Sequence, residues 1–141
     1  KKGYLFTVGD ELPTPYLKAE DIERVLGVRP QSDLTQEDLL TMVSRQYHVY
    51  HIMVAEGSHC RYGGDNVRAA WTELLGQRAL WLEDHTKLAE VIVSAIQVNE
   101  GATVADVAAS WDGDTSLVVA TAMGEGALVA GTAGDDGIVT L

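Results

Sequence analysis

Residues 47–55 read YHVYHIMVA. The run is rich in aromatic and β-branched residues, contains neither Gly nor Pro, and places apolar groups at both odd and even positions. A strand with two apolar faces must be covered on both. That is the signature of a central strand in a mostly parallel sheet lying between helix layers. His48 and His51 form H-x-x-H inside this run, but residues three apart on a strand point to opposite faces, so the pair cannot chelate one ion.

Working outward, residues 4–8 (YLFTV) predict a short buried strand stopped by Gly9-Asp10. Pro13 and Pro15 hold the next segment extended. A helix over 18–26 turns Ile22, Val25 and Leu26 to one side and stops at Gly27. Thr35 and Asp38 have capping-box spacing ahead of a second helix whose Leu39, Leu40 and Val43 share a face. Downstream, Asp65 or Asn66 caps a helix through Leu75 with Val67, Ala70, Trp71 and Leu74 inward. Residues 78–82 (RALWL) form a third strand, and a helix follows over 87–98. The order β-α-α-β-α-β-α gives an α/β fold with right-handed crossovers. Core or edge packing accounts for Trp71 and Trp81 without a ligand.

Beyond Gly101 the pattern weakens. Thr103 caps a short helix, residues 115–122 read as a strand, and 124–137 read as loop or weak strand, with 127–130 apolar enough to pair. The chain therefore divides into an α/β part over 1–101 and an acidic, Gly/Ala-rich extension over 102–141. Gly126 and Gly131 have the first spacing of a phosphate-binding loop but lack its lysine, which argues against nucleotide binding there.

The 141 residues are 46% apolar and 22% charged, enough for one domain with a core. The net charge of −11 is uneven: residues 1–87 hold 10 bases and 13 acids, whereas residues 88–141 hold eight acids and no Lys or Arg. With no basic stripe to displace counterions, a nucleic-acid partner is not expected. A lone cysteine, Cys60, excludes an intrachain disulfide. No window is long and apolar enough for a membrane span and no signal opens the chain, so no membrane partner and a cytoplasmic setting are expected. The start at KKGYLFTV and the end at GIVTL suggest a cut chain.

In open parallel sheets ligands bind beyond the carboxyl ends of the strands. Three predicted strands end in Gly9-Asp10-Glu11, Glu56-Gly57-Ser58-His59-Cys60 and Glu83-Asp84-His85. This brings Asp10, Glu56, Asp84 and His85 to one edge, where oxygen ligands suit Mg2+ or Ca2+ and where carboxylates also serve as helix caps. Asp10 stands out, following a strand directly and preceding a Pro-stiffened loop. His59 beside Cys60 supplies the raw material of a cysteine nucleophile, although adjacent residues rarely reach that geometry.

The succession GYLFTVGDE, two helices, YHVYHIMV, a helix, RALWL and KLAEVIVSAIQ resembles the C-terminal half of a von Willebrand factor type A-like domain over about residues 3–98. The resemblance implies a Rossmann-like sheet whose first three strands, with the family's D-x-S-x-S motif, are absent here. It implies that Asp10, with Glu11 beside it, is the remaining carboxylate of a metal-ion-dependent adhesion site. Mg2+ or Mn2+ would bind once other ligands are supplied. It also implies protein binding at the carboxyl edge, formed by Glu56, Asp84 and His85, often within larger bacterial or intracellular assemblies. The leading expectation is a non-enzymatic interaction domain, completed by a protein partner, by the first half of the domain, or by a second copy. The alternative is a small α/β hydrolase-like enzyme with Cys60 or Ser58 as nucleophile, served by His59 or His85.

Overall fold

The computed structural model describes residues 1–124. Three strands, β1 (Gly3–Gly9), β4 (Tyr47–Val54) and β5 (Ala79–Leu82), form a parallel sheet in the order β1-β4-β5. The two-faced run is its centre. β4 pairs with β1 from Gly3↔Tyr47 to Gly9↔Met53, and with β5 from His51↔Ala79 to Val54↔Leu82. Between β1 and β4 lie a small antiparallel ribbon, β2 (Tyr16–Leu17) with β3 (Leu34–Thr35), and two helices, α1 (Ala19–Leu26) and α2 (Gln36–Val43). Helix α3 (Ser58–Leu75) connects β4 to β5, and α4 (Leu88–Asn99), α5 (Val104–Ala109) and α6 (Gly113–Ala122) follow.

Side-chain alternation along β4 builds two cores. Tyr50 and Ile52 join Leu80 and Leu82 of β5, Val91 and Ala95 of α4, Val107 and Ala108 of α5, and Val118, Val119 and Ala122 of α6. On the opposite face Met53 packs with Cys60 and Val67 of α3, flanked by Trp71, Ala79 and Trp81. The fully buried Ser94 is satisfied: its hydroxyl donates to the Glu90 carbonyl at 2.7 Å and accepts the Trp111 indole N–H at 2.8 Å. That bond ties the turn between α5 and α6 to α4.

Local signals placed several boundaries correctly. Thr35 and Asp38 make the reciprocal capping box, with Asp38 N–H to Thr35 Oγ1 and Thr35 N–H to Asp38 Oδ2 both at 3.1 Å. Thr103 caps α5 through the Asp106 N–H, and Gly27 (φ +73°) closes α1 in the left-handed region that glycine tolerates.

Three expectations are corrected. Residues 115–122 are helical, not a strand: Val118, Val119 and Ala122 fall on one helical stripe, a period that a short apolar run does not declare. The β1 strand is half-exposed rather than buried, with Leu5 37% and Val8 47% accessible on its two faces, because it is an edge strand. The helix expected from Asp65 or Asn66 through Leu75 is present after a break at Gly63, but an unexpected helical stretch from Ser58 precedes it, capped from a distant strand. The apolar side of α1 is largely uncovered, with Val25 75% and Leu26 71% accessible.

Residues 104–122 thus share the core of the preceding segment. The strand expected at 127–130 and the glycines at 126 and 131 lie outside the described residues. Among the described residues, nine of the thirteen exposed large hydrophobic residues precede residue 47, so most of the uncovered apolar surface there belongs to β1 and the segment that follows it. Leu80→Ala should therefore cost about 2–5 kcal/mol in urea unfolding, whereas Val25→Ala should change stability by less than about 0.5 kcal/mol.

Candidate functional site

The carboxyl ends of the three strands carry the chemistry, and the backbone has first claim on it. The N-cap position of helix α3 is Gly57, which has no side chain to cap it. Asp10, arriving from the end of β1, takes that role: its Oδ2 accepts the His59 N–H at 2.9 Å, with the His59 Nδ1 at 3.4 Å. The His59 N–H bond holds the Asp10 carboxyl below its ordinary range, with the His59 side chain adding to the effect. Gly57 is required for this approach, since a Cβ there would overlap the Asp10 side chain.

The second strand end behaves alike. Glu56 Oε1 accepts the His85 N–H at 2.7 Å and faces His85 Nδ1 at 2.9 Å, and the backbone bond chiefly lowers its pKa. Asp84 accepts both the Thr86 hydroxyl at 2.7 Å and the Thr86 N–H at 3.0 Å. The Thr86 hydroxyl, then its N–H, pulls the Asp84 carboxyl down as well.

Glu56, Asp84 and His85 each offer a ligand atom within 4.8 Å of the others. The set mixes oxygens with an imidazole nitrogen, a combination that suits a borderline transition-metal ion better than Mg2+. An ion would have to replace the Glu56–His85 contact. Asp10 belongs to no such converging group among the described residues, and with one oxygen engaged by His59 it does not by itself fit the octahedral demand of Mg2+. Glu11 contributes through its carbonyl, which accepts the Trp71 indole N–H at 2.8 Å and fastens the loop after β1 to α3.

The nucleophile candidates are dispersed in role. Cys60 is buried, and its thiol donates to the Asp10 carbonyl at 3.6 Å. Burial and then the Asp10 charge push the thiol pKa up, opposite to the activation a nucleophile needs. Ser58 is exposed in the first turn of α3, His59 is turned to Asp10, and His85 to Glu56.

His48 and His51 do face opposite sides of the sheet. The His48 Nδ1 lies 3.3 Å from Arg78 Nη2 and its ring is against Tyr4, whereas His51 stacks on Trp71 at 3.6 Å. The Thr7 hydroxyl bonds the Tyr50 carbonyl at 3.3 Å and His51 Nδ1 at 2.8 Å. A hydroxyl has one proton, so donation to the carbonyl makes His51 Nδ1 the other donor. Burial drives the His51 pKa down to about 4.

Sequence reasoning passed over one feature. Helix α3 carries Gly63-Gly64 in its interior, and the helix breaks at Gly63 (φ −142°, ψ 29°). Interior glycines cost a helix roughly 1 kcal/mol each. The break opens a cleft lined by Arg61, Tyr62, Asn66, Arg68 and Trp81, among others. Adjacent glycines inside a helical pattern were the available signal.

Two outcomes test this geometry. His51 has a folded pKa below its unfolded 6.5, so the unfolded state binds the proton first and stability falls as pH drops from 6.5 toward about 4. The loss should be on the order of 3 kcal/mol in denaturant titrations, and His51→Gln should flatten that part of the pH profile. Iodoacetamide should label Cys60 in the native protein at least about tenfold more slowly than in urea, and fast native labelling would restore the nucleophile reading.

No family model, curated protein or solved structure matches the chain, which leaves its own geometry to carry the functional reading.

Proposed function

We propose that the chain is a non-enzymatic protein-interaction domain of von Willebrand A-like topology, working in the cytoplasm within a larger assembly. The observation that carries the reading is the open edge of β1. In the order β1-β4-β5, a strand can add only beside β1 or β5, and β1 itself carries the exposed apolar side chains Leu5 and Val8. Free strand edges beside uncovered apolar surface are what a pairing partner satisfies. The resemblance implies that the preceding strands of the domain belong there. A parallel strand from another polypeptide segment therefore completes the sheet, and a second copy takes its place when that segment is lacking. Among the described residues no helix is long and apolar enough to cross a membrane.

A divalent cation has a secondary part in this reading. Asp10 is fixed at the end of β1 by the His59 N–H, leaving its second oxygen for an ion whose remaining oxygens come from the completing segment. Mg2+ or Mn2+ therefore binds only to the completed domain.

Light scattering tests the proposal directly. The chain should associate with rising concentration, and Leu5→Glu combined with Val8→Glu should weaken association at least about tenfold with little loss of helix content, since both side chains are exposed on an edge strand. A monodisperse monomer that unfolds cooperatively and binds no hydrophobic dye would sink it.

A further inference from the structure

We propose that the cleft at the break in α3 binds a single oxyanion side chain, a phosphate or a carboxylate, presented by a peptide partner. Two glycines build the cleft. Gly63 interrupts the helix, and Gly64 admits Trp81, whose Cη2 lies 3.1 Å from where a Cβ would stand. A continuous helix of ordinary residues would close it.

Among the described residues the lining carries positive charge that no ion pair neutralises. Arg68 lies 5.0 Å over the Trp81 ring, which holds its planar fork while leaving its N–H donors free. Neither the Arg61 nor the Arg68 guanidinium makes a hydrogen bond or ion pair among the described residues. Three of the four other arginines are engaged: Arg24 pairs with Asp21, Arg29 with Glu23, and Arg78 bonds His48 and Asn99, while Arg45 stands apart near Tyr47. Asp65 is the one carboxylate among the residues lining the cleft. Beside two guanidinium groups it leaves room for one further anion.

The partner class follows from charge and shape. Arg forks recognise carboxylate and phosphate through paired N–H donors. A chain of net charge −11 repels an extended polyanion, so one oxyanion on a peptide fits where a nucleic acid does not. Tyr62, 92% exposed beside Arg61, offers a ring against which a peptide backbone can lie. The peptide class rests on the interaction-domain reading. The cleft is formed by α3 and β5, away from the β1 edge, so the two surfaces fail or succeed separately.

The experiment is an NMR titration of the whole chain with three short peptides identical except for a central phosphoserine, glutamate or serine. The readout is the Trp81 indole resonance, assigned with Trp81→Phe. A saturable shift with the phosphoserine or the glutamate peptide, weakened at least about tenfold in Arg61→Gln/Arg68→Gln, supports the proposal and identifies the source of the oxyanion. Arg68→Lys keeps the charge but not the fork and should bind at an intermediate level. No shift with either anionic peptide, an equal shift with the serine peptide, or a shift unchanged in the double variant overturns it. Should the double variant lose its dispersed spectrum, Arg61→Gln alone, at an exposed side chain, decides by the same criteria.

Discussion

The structure depends on one strand being buried on both faces. Because β4 carries Tyr50 and Ile52 on one side and His51 and Met53 on the other, it can exist only with helices above and below and a strand at each edge. Helix α3 packs against the face carrying Met53 and Trp81, while α4, α5 and α6 share the core with Tyr50, Ile52, Leu80 and Leu82. The same requirement is only half met at β1, where Tyr4 and Phe6 pack inward and Leu5 remains exposed on the other face. The neighbouring elements inherit the deficit. The apolar residues of α1 at Val25 and Leu26, at helical spacing from Ile22, are left largely uncovered by the described residues.

At the carboxyl ends, short distances separate two roles that the same residues could play. Asp10, Glu56 and Asp84 each accept a backbone N–H, from His59, His85 and Thr86 respectively. Those bonds order the starts of α3 and of the segment leading into α4. A charged, ordered carboxylate is also what a cation or a partner's donor meets first, so capping prepares the edge for binding without making it a binding site.

How much of this was legible in the sequence varied with the range of the interaction. The two-faced run at 47–54, the Thr35 and Thr103 caps and the Gly27 stop are local and were read correctly. The start of α3 was not, because its cap arrives from Asp10, 49 residues away. Residues 115–122 misled because five apolar residues crowded into six positions fit either period. At the site, the acidic strand ends could be placed on one edge from topology alone. The pairing of Thr7 with His51, and of Arg68 with Trp81, required the register of β1 on β4 and the packing of α3 on β5. The break at Gly63 lay in plain view as a glycine pair that local rules disfavour, whereas the close approach of Trp81 to Gly64 did not.

The central claim is that β1 is an inner strand in the working form of the protein. Amide hydrogen exchange along β1, measured across a range of protein concentration, tests it most directly. The account predicts that amides facing β4 are protected throughout, and that the outward-facing amides between Gly3 and Gly9 gain protection as the chain associates. Outward-facing amides that exchange at the rate of an open strand at every concentration would contradict it.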